Sequence, residues 1–154
     1  MIEVTRERIV DAPIERVWGL VDDVERLPEW FAFADGAELL EGSGVGRRQR
    51  IRGRWGSKRS EVDQLVTVHE PPRRLGWEHL QERLDGKPAP LFARSTRLEI
   101  ALEARGDATL VRLRSLQVPA GLLRGLALRA LGRAQVAKHL DRSLAGLERA
   151  LAAA

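Results

Sequence analysis

The last third of the chain, residues 119–154, constrains the fold more than any other stretch. Leu140, Leu144, Leu147 and Leu151 step by four, three and four residues, which puts them on one face of a helix. Lys138, Asp141, Arg142, Glu148 and Arg149 fall on the remaining faces. Pro119 suits a first helical turn, where its missing N–H has no partner to lose. The reading is one long C-terminal helix, straight or kinked, with an apolar stripe that must be covered. Nearly everything before it reads as β-strand, so the partner is a sheet.

The first part of that helix is different. Leu122, Leu123, Leu126, Leu128 and Leu131 spread round the axis, and Gly125 and Gly132 each weaken the helix by about 1 kcal/mol relative to alanine. Residues 122–131 therefore read as a buried helix start, an apolar lid over a pocket, or a surface that docks on a partner or membrane. Arg124, Arg129 and Arg133 interrupt the run, so it falls short of the ~20 apolar residues of a membrane span, and stable insertion is not expected.

The 154 residues suit a single domain, 1–154, with one real core. The chain has no cysteine, which excludes disulfides, thiolate nucleophiles and Cys-ligated zinc. Its first residues lack the apolar core of a signal peptide, so a cytoplasmic protein is expected. A net charge of +4 invites a nucleic-acid reading. However, acidic residues are interspersed among the basic ones, there is no basic tail, and no nucleic-acid motif occurs. No nucleic-acid partner is expected.

In chain order, residues 2–10 read as a strand whose alternation is weakened by Arg6, Glu7 and Arg8. Asp11-Ala12-Pro13 starts a helix with Ile14, Val17, Trp18 and Val21 on one face, and a second short helix covers 24–30. Strands follow at 37–40, 47–55, 60–69, around 75–79, 92–102 and 110–118, separated by glycine and proline turns. Strands this close in sequence pair antiparallel. The order predicts an α+β fold: strand, two short helices, six hairpin-linked strands, one long helix.

The segment from Val10-Asp-Ala-Pro13 through Val17-Trp18 to Pro28-Glu-Trp30 resembles the opening of the START-related SRPBCC superfamily, in its polyketide cyclase/dehydrase-like branch. Glu41-Gly-Ser-Gly-Val-Gly46 is similar to the glycine-rich hairpin of that family, and Pro71-Pro72-Arg73-Arg74-Leu75 to its proline turn. The resemblance covers essentially the whole chain. It implies a helix-grip (Bet v 1-like) fold, in which a curved seven-stranded antiparallel sheet wraps a cavity under the long C-terminal helix. It also implies binding of an apolar ligand such as a lipid, sterol or polyketide. A minority of such proteins cyclise or dehydrate aromatic polyketides, and fold alone does not choose between these roles.

On that reading Val66, Trp77 and Leu98 line the cavity, Trp30 and Phe33 form its mouth, and Trp55 and Leu126 contribute apolar surface. Gln64 and Ser115 face inward, bonding either a ligand or an internal water. His79 shares a face with Leu75 and Trp77, and is either a polar anchor and proton donor or a rim histidine. Arg94 shares a face with Thr96, Leu98 and Ile100, and either meets an anionic group or reaches out to water. His69, beside the proline turn, reads as solvated, and His139 as flanking the helix. The three histidines have no metal-ligand spacing, so neither metal nor cofactor is expected. Arg48, Arg50, Arg52 and Arg54 alternate onto an outer face.

The leading expectation is a protein that binds a hydrophobic or aromatic small molecule. The alternative is a cyclase or dehydratase in which His79 or Arg94 does acid–base work. Against catalysis, the chain has no tyrosine and no cysteine, and no paired acidic residues clearly face inward. A docking role for residues 122–131 is the third reading, and a homodimer stays open.

Overall fold

A computed structural model describes residues 1–89, 93–127 and 132–153; the side chains of residues 55, 93, 94, 124, 125 and 127 also fall outside the description. Strand β1 (Ile2–Val10) leads into helix α1 (Ile14–Val21), a 3₁₀ turn (Val24–Arg26) and the one-turn helix α2 (Leu27–Trp30). Strands β2 (Gly36–Glu41), β3 (Arg48–Trp55), β4 (Lys58–Glu70), β5 (Arg74–Leu84), β6 (Lys87–Pro88), β7 (Ala93–Arg105) and β8 (Ala108–Pro119) follow. Two helices, α3 (Leu122–Ala127) and α4 (Arg133–Ala152), close the chain.

All strand pairs are antiparallel, in the order β1-β8-β7-β5-β4-β3-β2. The expected seven strands form this path, and the two-residue β6 is an eighth that pairs only with β5. Pro119 does not begin the helix. It ends β8 opposite Ala93, a terminal strand position where the absence of a donor costs little.

The leucine stripe of α4 behaves as its spacing requires: Leu140, Leu144, Leu147 and Leu151 are all buried. They join a core with Val4 and Val10 of β1, Val111 and Leu113 of β8, and Trp30 of α2. Gly146 lets α4 approach α2, since a Cβ there would lie 2.5 Å from the Trp30 carbonyl oxygen. Ser143 Oγ accepts the Ala32 N–H at 2.9 Å across the same contact. The charges that weakened the β1 pattern have a structural reason. Arg6 and Arg8 share the face of Val4 and Val10, and pair with Asp141 and Glu148 on the covering helix itself. Glu3 and Glu7 point the other way, to Arg114 and Arg112.

The described part of 122–131 is not a buried helix start. Leu122 is 92% exposed, and Leu123 and Leu126 are exposed too. Leu128 and Leu131 lie outside the described residues. No helix among the described residues is long and apolar enough to cross a membrane.

Three of the four outer arginines meet carboxylates. Arg50 donates to Asp63 at 2.7 Å and lies near Glu38 and Glu61, Arg52 pairs with Glu38, and Arg48 with Glu41. Hydrogen bonding from Arg50, reinforced by Arg83, holds the Asp63 carboxyl below its ordinary value. Arg48, Arg50 and Arg52 are thus neutralised by their own sheet.

Candidate functional site

Two one-residue bulges decide which side chains face the helix. In β4 the register moves from Val66–Trp77 to Val68–Gly76, leaving Thr67 unpaired. A single extra residue moves every later side chain to the opposite face. Val68 thereby joins Gly76 on the outer face, its Cβ 3.3 Å from where a Gly76 Cβ would stand. His69 turns inward beside Leu75 instead of into solvent. In β5 the register moves from Gln64–His79 to Asp63–Gln81, leaving Leu80 unpaired. Glu82, opposite Val62, then shares the inner face with His79, while Gln81 and Arg83 face outward.

The result is a line of polar groups on a mainly apolar surface. Gln49, Gln64 and His79 are direct cross-strand neighbours on β3, β4 and β5. Gln49 Nε2 donates to Gln64 Oε1 at 2.9 Å, with both residues buried. Arg47, only 8% exposed, donates from Nε to Gln49 Oε1 at 3.2 Å and from Nη1 to Asp22 Oδ1 at 2.9 Å. Asp22 stands at the C-terminal end of α1, where the helix dipole disfavours a carboxylate. Arg47 and His69, whose Nε2 lies 3.1 Å from the same oxygen, offset that cost. Trp18 meets the His69 ring edge-on with centroids 5.4 Å apart. At the far end of the line, His79 Nδ1 lies 3.0 Å from Glu82 Oε1. The β5–β7 pairing ends at Glu78–Arg97, so His79 sits just beyond the last rung of that ladder.

Next to this line runs an apolar row in which Val66, Trp77, Leu98, Ser115 and Val4 are successive cross-strand neighbours. All five are buried. Phe31 meets Trp77 edge-on at 5.7 Å and lies 5.3 Å from Trp30. The indole N–H groups of Trp30 and Trp77 are both buried and have no hydrogen-bond partner among the described residues. A buried donor left unpaired costs about 1–3 kcal/mol, so each is an anomaly in an otherwise satisfied interior.

The expected residues are therefore partly assembled. Gln64, Val66, Trp77, His79, Leu98 and Ser115 share one surface. Trp30 is in the core rather than at a mouth, because α2 presses it beneath Gly146. Phe33 is 41% exposed and stacks on His139 with centroids 4.7 Å apart. Leu126 is exposed on α3. The side chains of Trp55 and Arg94 lie outside the described residues. Sequence reasoning passed over Asp22, Arg47 and Glu82 and read His69 as solvated. For Arg47, its parity with Gln49 and Ile51 was an available signal; the other inward placements depend on the chain ends and bulges that tertiary structure sets. Two open grooves lie elsewhere: one of about 460 Å³ beside Arg6 and Lys138, the other of about 510 Å³ beside Ile14 and Pro72. No group of acidic, histidine or cysteine side chains suited to a metal occurs among the described residues.

A curved antiparallel sheet with short helices after its first strand and a long C-terminal helix across it is the helix-grip fold. The chain belongs to the polyketide cyclase / dehydrase and lipid transport family, whose model matches residues 1–152. Among solved structures it is similar to TTHA0849 from Thermus thermophilus, with a TM-score of 0.78 at 21% identity over 99% of this chain and 98% of that one. It is also similar to XoxI from Bacillus cereus, with a TM-score of 0.72 at 17% identity over 98% and 96% of the two chains. The di-domain ARO/CYC BexL from the BE-7585A biosynthetic pathway matches with a TM-score of 0.76 at 20% identity, covering 97% of this chain and 46% of that one. At these identities the likeness is one of fold. No curated protein matches this sequence.

Proposed function

We propose that this protein binds a hydrophobic or aromatic small molecule, lipid- or polyketide-like, against the inner face of the sheet beneath α4. The observation that carries this reading is the pair of buried indole N–H groups of Trp30 and Trp77, without a hydrogen-bond partner among the described residues, beside an apolar row. A ligand with an apolar body and a carbonyl or ether oxygen satisfies both features at once: the body displaces water from apolar surface, and the oxygen accepts from an indole. Val66, Trp77, Leu98 and Ser115 form the wall, with Gln64 and His79 as polar neighbours. Trp30 supplies a donor from below, and Phe33 stands at the rim. Trp55, Arg94 and Leu126 are assigned to the ligand's surroundings on sequence grounds alone. The test is calorimetric titration with 1-tetralone, a bicyclic aromatic ketone, against wild type and W77F. Saturable 1:1 binding that weakens about tenfold in W77F, the loss of one hydrogen bond, supports the proposal. No heat beyond dilution in wild type overturns it.

A second reading, cyclase or dehydratase chemistry, is favoured by the carboxylate–histidine pair Glu82–His79 on the same face. Such a pair is the arrangement general acid–base chemistry uses. In this reading His79 exchanges the proton and Glu82 orients it. Turnover of an aromatic polyketide precursor lost in H79A, with apolar binding retained, separates it from simple binding.

A further inference from the structure

We propose that His79 and Glu82 form a subsite that selects ligands carrying a phenolic or enolic hydroxyl, with His79 Nε2 accepting the hydroxyl proton in a hydrogen bond. The inference rests on the binding reading above and adds the polar chemistry at one end of the ligand. It follows from the tautomer that the geometry imposes. An ionised carboxylate can only accept, so the 3.0 Å contact between His79 Nδ1 and Glu82 Oε1 requires the hydrogen to be on Nδ1. In the neutral ring that leaves Nε2 with a lone pair and no hydrogen. Nε2 has no partner among the described residues, and the ring is largely buried, its side chain 23% exposed.

The neighbours make this acceptor available. Gln64, directly across the strand, accepts from Gln49 at its carbonyl oxygen, and its amide N–H groups make no hydrogen bond to His79 among the described residues. On β7 the ladder to β5 has ended one residue earlier, at Glu78–Arg97, so His79 has no ladder partner on that side among the described residues. Two residues along the same strand face, about 7 Å away by strand geometry, is Trp77, whose indole N–H is a donor without an acceptor. One face of β5 thus offers an acceptor and a donor at a spacing comparable to the length of a bicyclic aromatic. An aromatic molecule with a hydroxyl at one end and an acceptor oxygen at the other is complementary to both. The bulge at Leu80 creates this subsite, because without it Glu82 would face outward and the imidazole tautomer would be unconstrained.

The experiment compares three probes by calorimetric titration: 1-naphthol, 1-methoxynaphthalene and naphthalene. The expected result is that 1-naphthol binds wild type about tenfold more tightly than either analogue, the ratio that one hydrogen bond provides. In H79F that preference falls below about twofold, while naphthalene affinity stays within about threefold of wild type. In H79Q, which retains an acceptor, part of the preference returns. Equal binding of all three probes to wild type overturns the hydroxyl subsite and leaves the apolar site standing, as does a naphthol preference unchanged in H79F. Failure of all three to bind overturns the binding reading itself. The wild-type comparison needs no variant and stands even if H79F does not fold.

Discussion

Gly146→Ala tests the seating of α4, on which the inner surface depends. A Cβ at position 146 would stand 2.5 Å from the Trp30 carbonyl oxygen, 3.0 Å from its Cα and 3.2 Å from its carbonyl carbon. All three are backbone atoms of α2, so no side chain can rotate away; α4 itself has to move. Overpacking of this kind costs about 1–3 kcal/mol, and a clash this short with backbone belongs at the upper end. Against that, replacing a mid-helix glycine by alanine gains about 1 kcal/mol of helix propensity. The net is a destabilisation of about 2 kcal/mol, or a fall in Tm of about 4–8 °C for a chain of this size. Gly19→Ala is the matched control: Gly19 lies inside α1 with nothing within 4 Å of its added Cβ, so only the propensity term acts. That variant gains about 0.5–1 kcal/mol. Urea denaturation of both variants, with m held equal to wild type, reads the two signs directly. If G146A is as stable as wild type or more so, the close contact of α4 with α2 is wrong.

Other consequences follow from the polar line and the outer sheet. Gln49→Leu strands both the buried Gln64 amide and the Nε–H of buried Arg47, at about 1–3 kcal/mol for each, whereas Q49L/Q64L recovers only the Gln64 share in the same denaturation assay. Asp22→Ala removes the carboxylate shared by Arg47 and His69; with Arg47 buried and Asp22 partly solvated, the loss in denaturant-extrapolated stability is about 2 kcal/mol. Asp63 has its carboxyl pKa lowered, first by the Arg50 hydrogen bond and then by Arg83. Its stabilising contribution is therefore fully present above the ordinary carboxylate value and is lost as pH falls through the lowered folded-state value. Asp63→Asn accordingly flattens the decline in stability between about pH 5 and pH 2, measured as denaturation midpoints.

The helical stripe at Leu140, Leu144, Leu147 and Leu151 and the alternation of the strands were enough to predict the layers, because burial of apolar faces is periodic and local. The same alternation placed Gln64, Val66, Trp77 and His79 on one surface. What it could not carry was the phase change at each bulge. A strict period of two continues Val62, Gln64 and Val66 to Val68, and leaves His69 outside; the unpaired Thr67 exchanges those two. The same rule puts Gln81 with His79, and the unpaired Leu80 substitutes Glu82. Strands read one at a time reveal no bulge, since a bulge is a property of two strands in register. Asp22 was hidden for a related reason: its partner Arg47 is 25 residues away, and only the folded chain brings them together. Pro119 was ambiguous locally, because its fixed φ suits a helix start and a strand end alike, and the pairing with Ala93 decided it.

The central claim, that a ligand meets the inner face at the unpaired indoles, is tested most directly by NMR of the indole groups. The chain has four tryptophans, so an ¹⁵N-labelled sample gives four side-chain N–H resonances, assignable by single Trp→Phe substitutions. On titration with 1-tetralone, the Trp77 indole proton, alone or together with that of Trp30, moves downfield and saturates as it gains an acceptor, while the Trp18 resonance stays in place. If both indole resonances hold their positions while the ketone binds, or if the ketone does not bind at all, the inner face is not the ligand site.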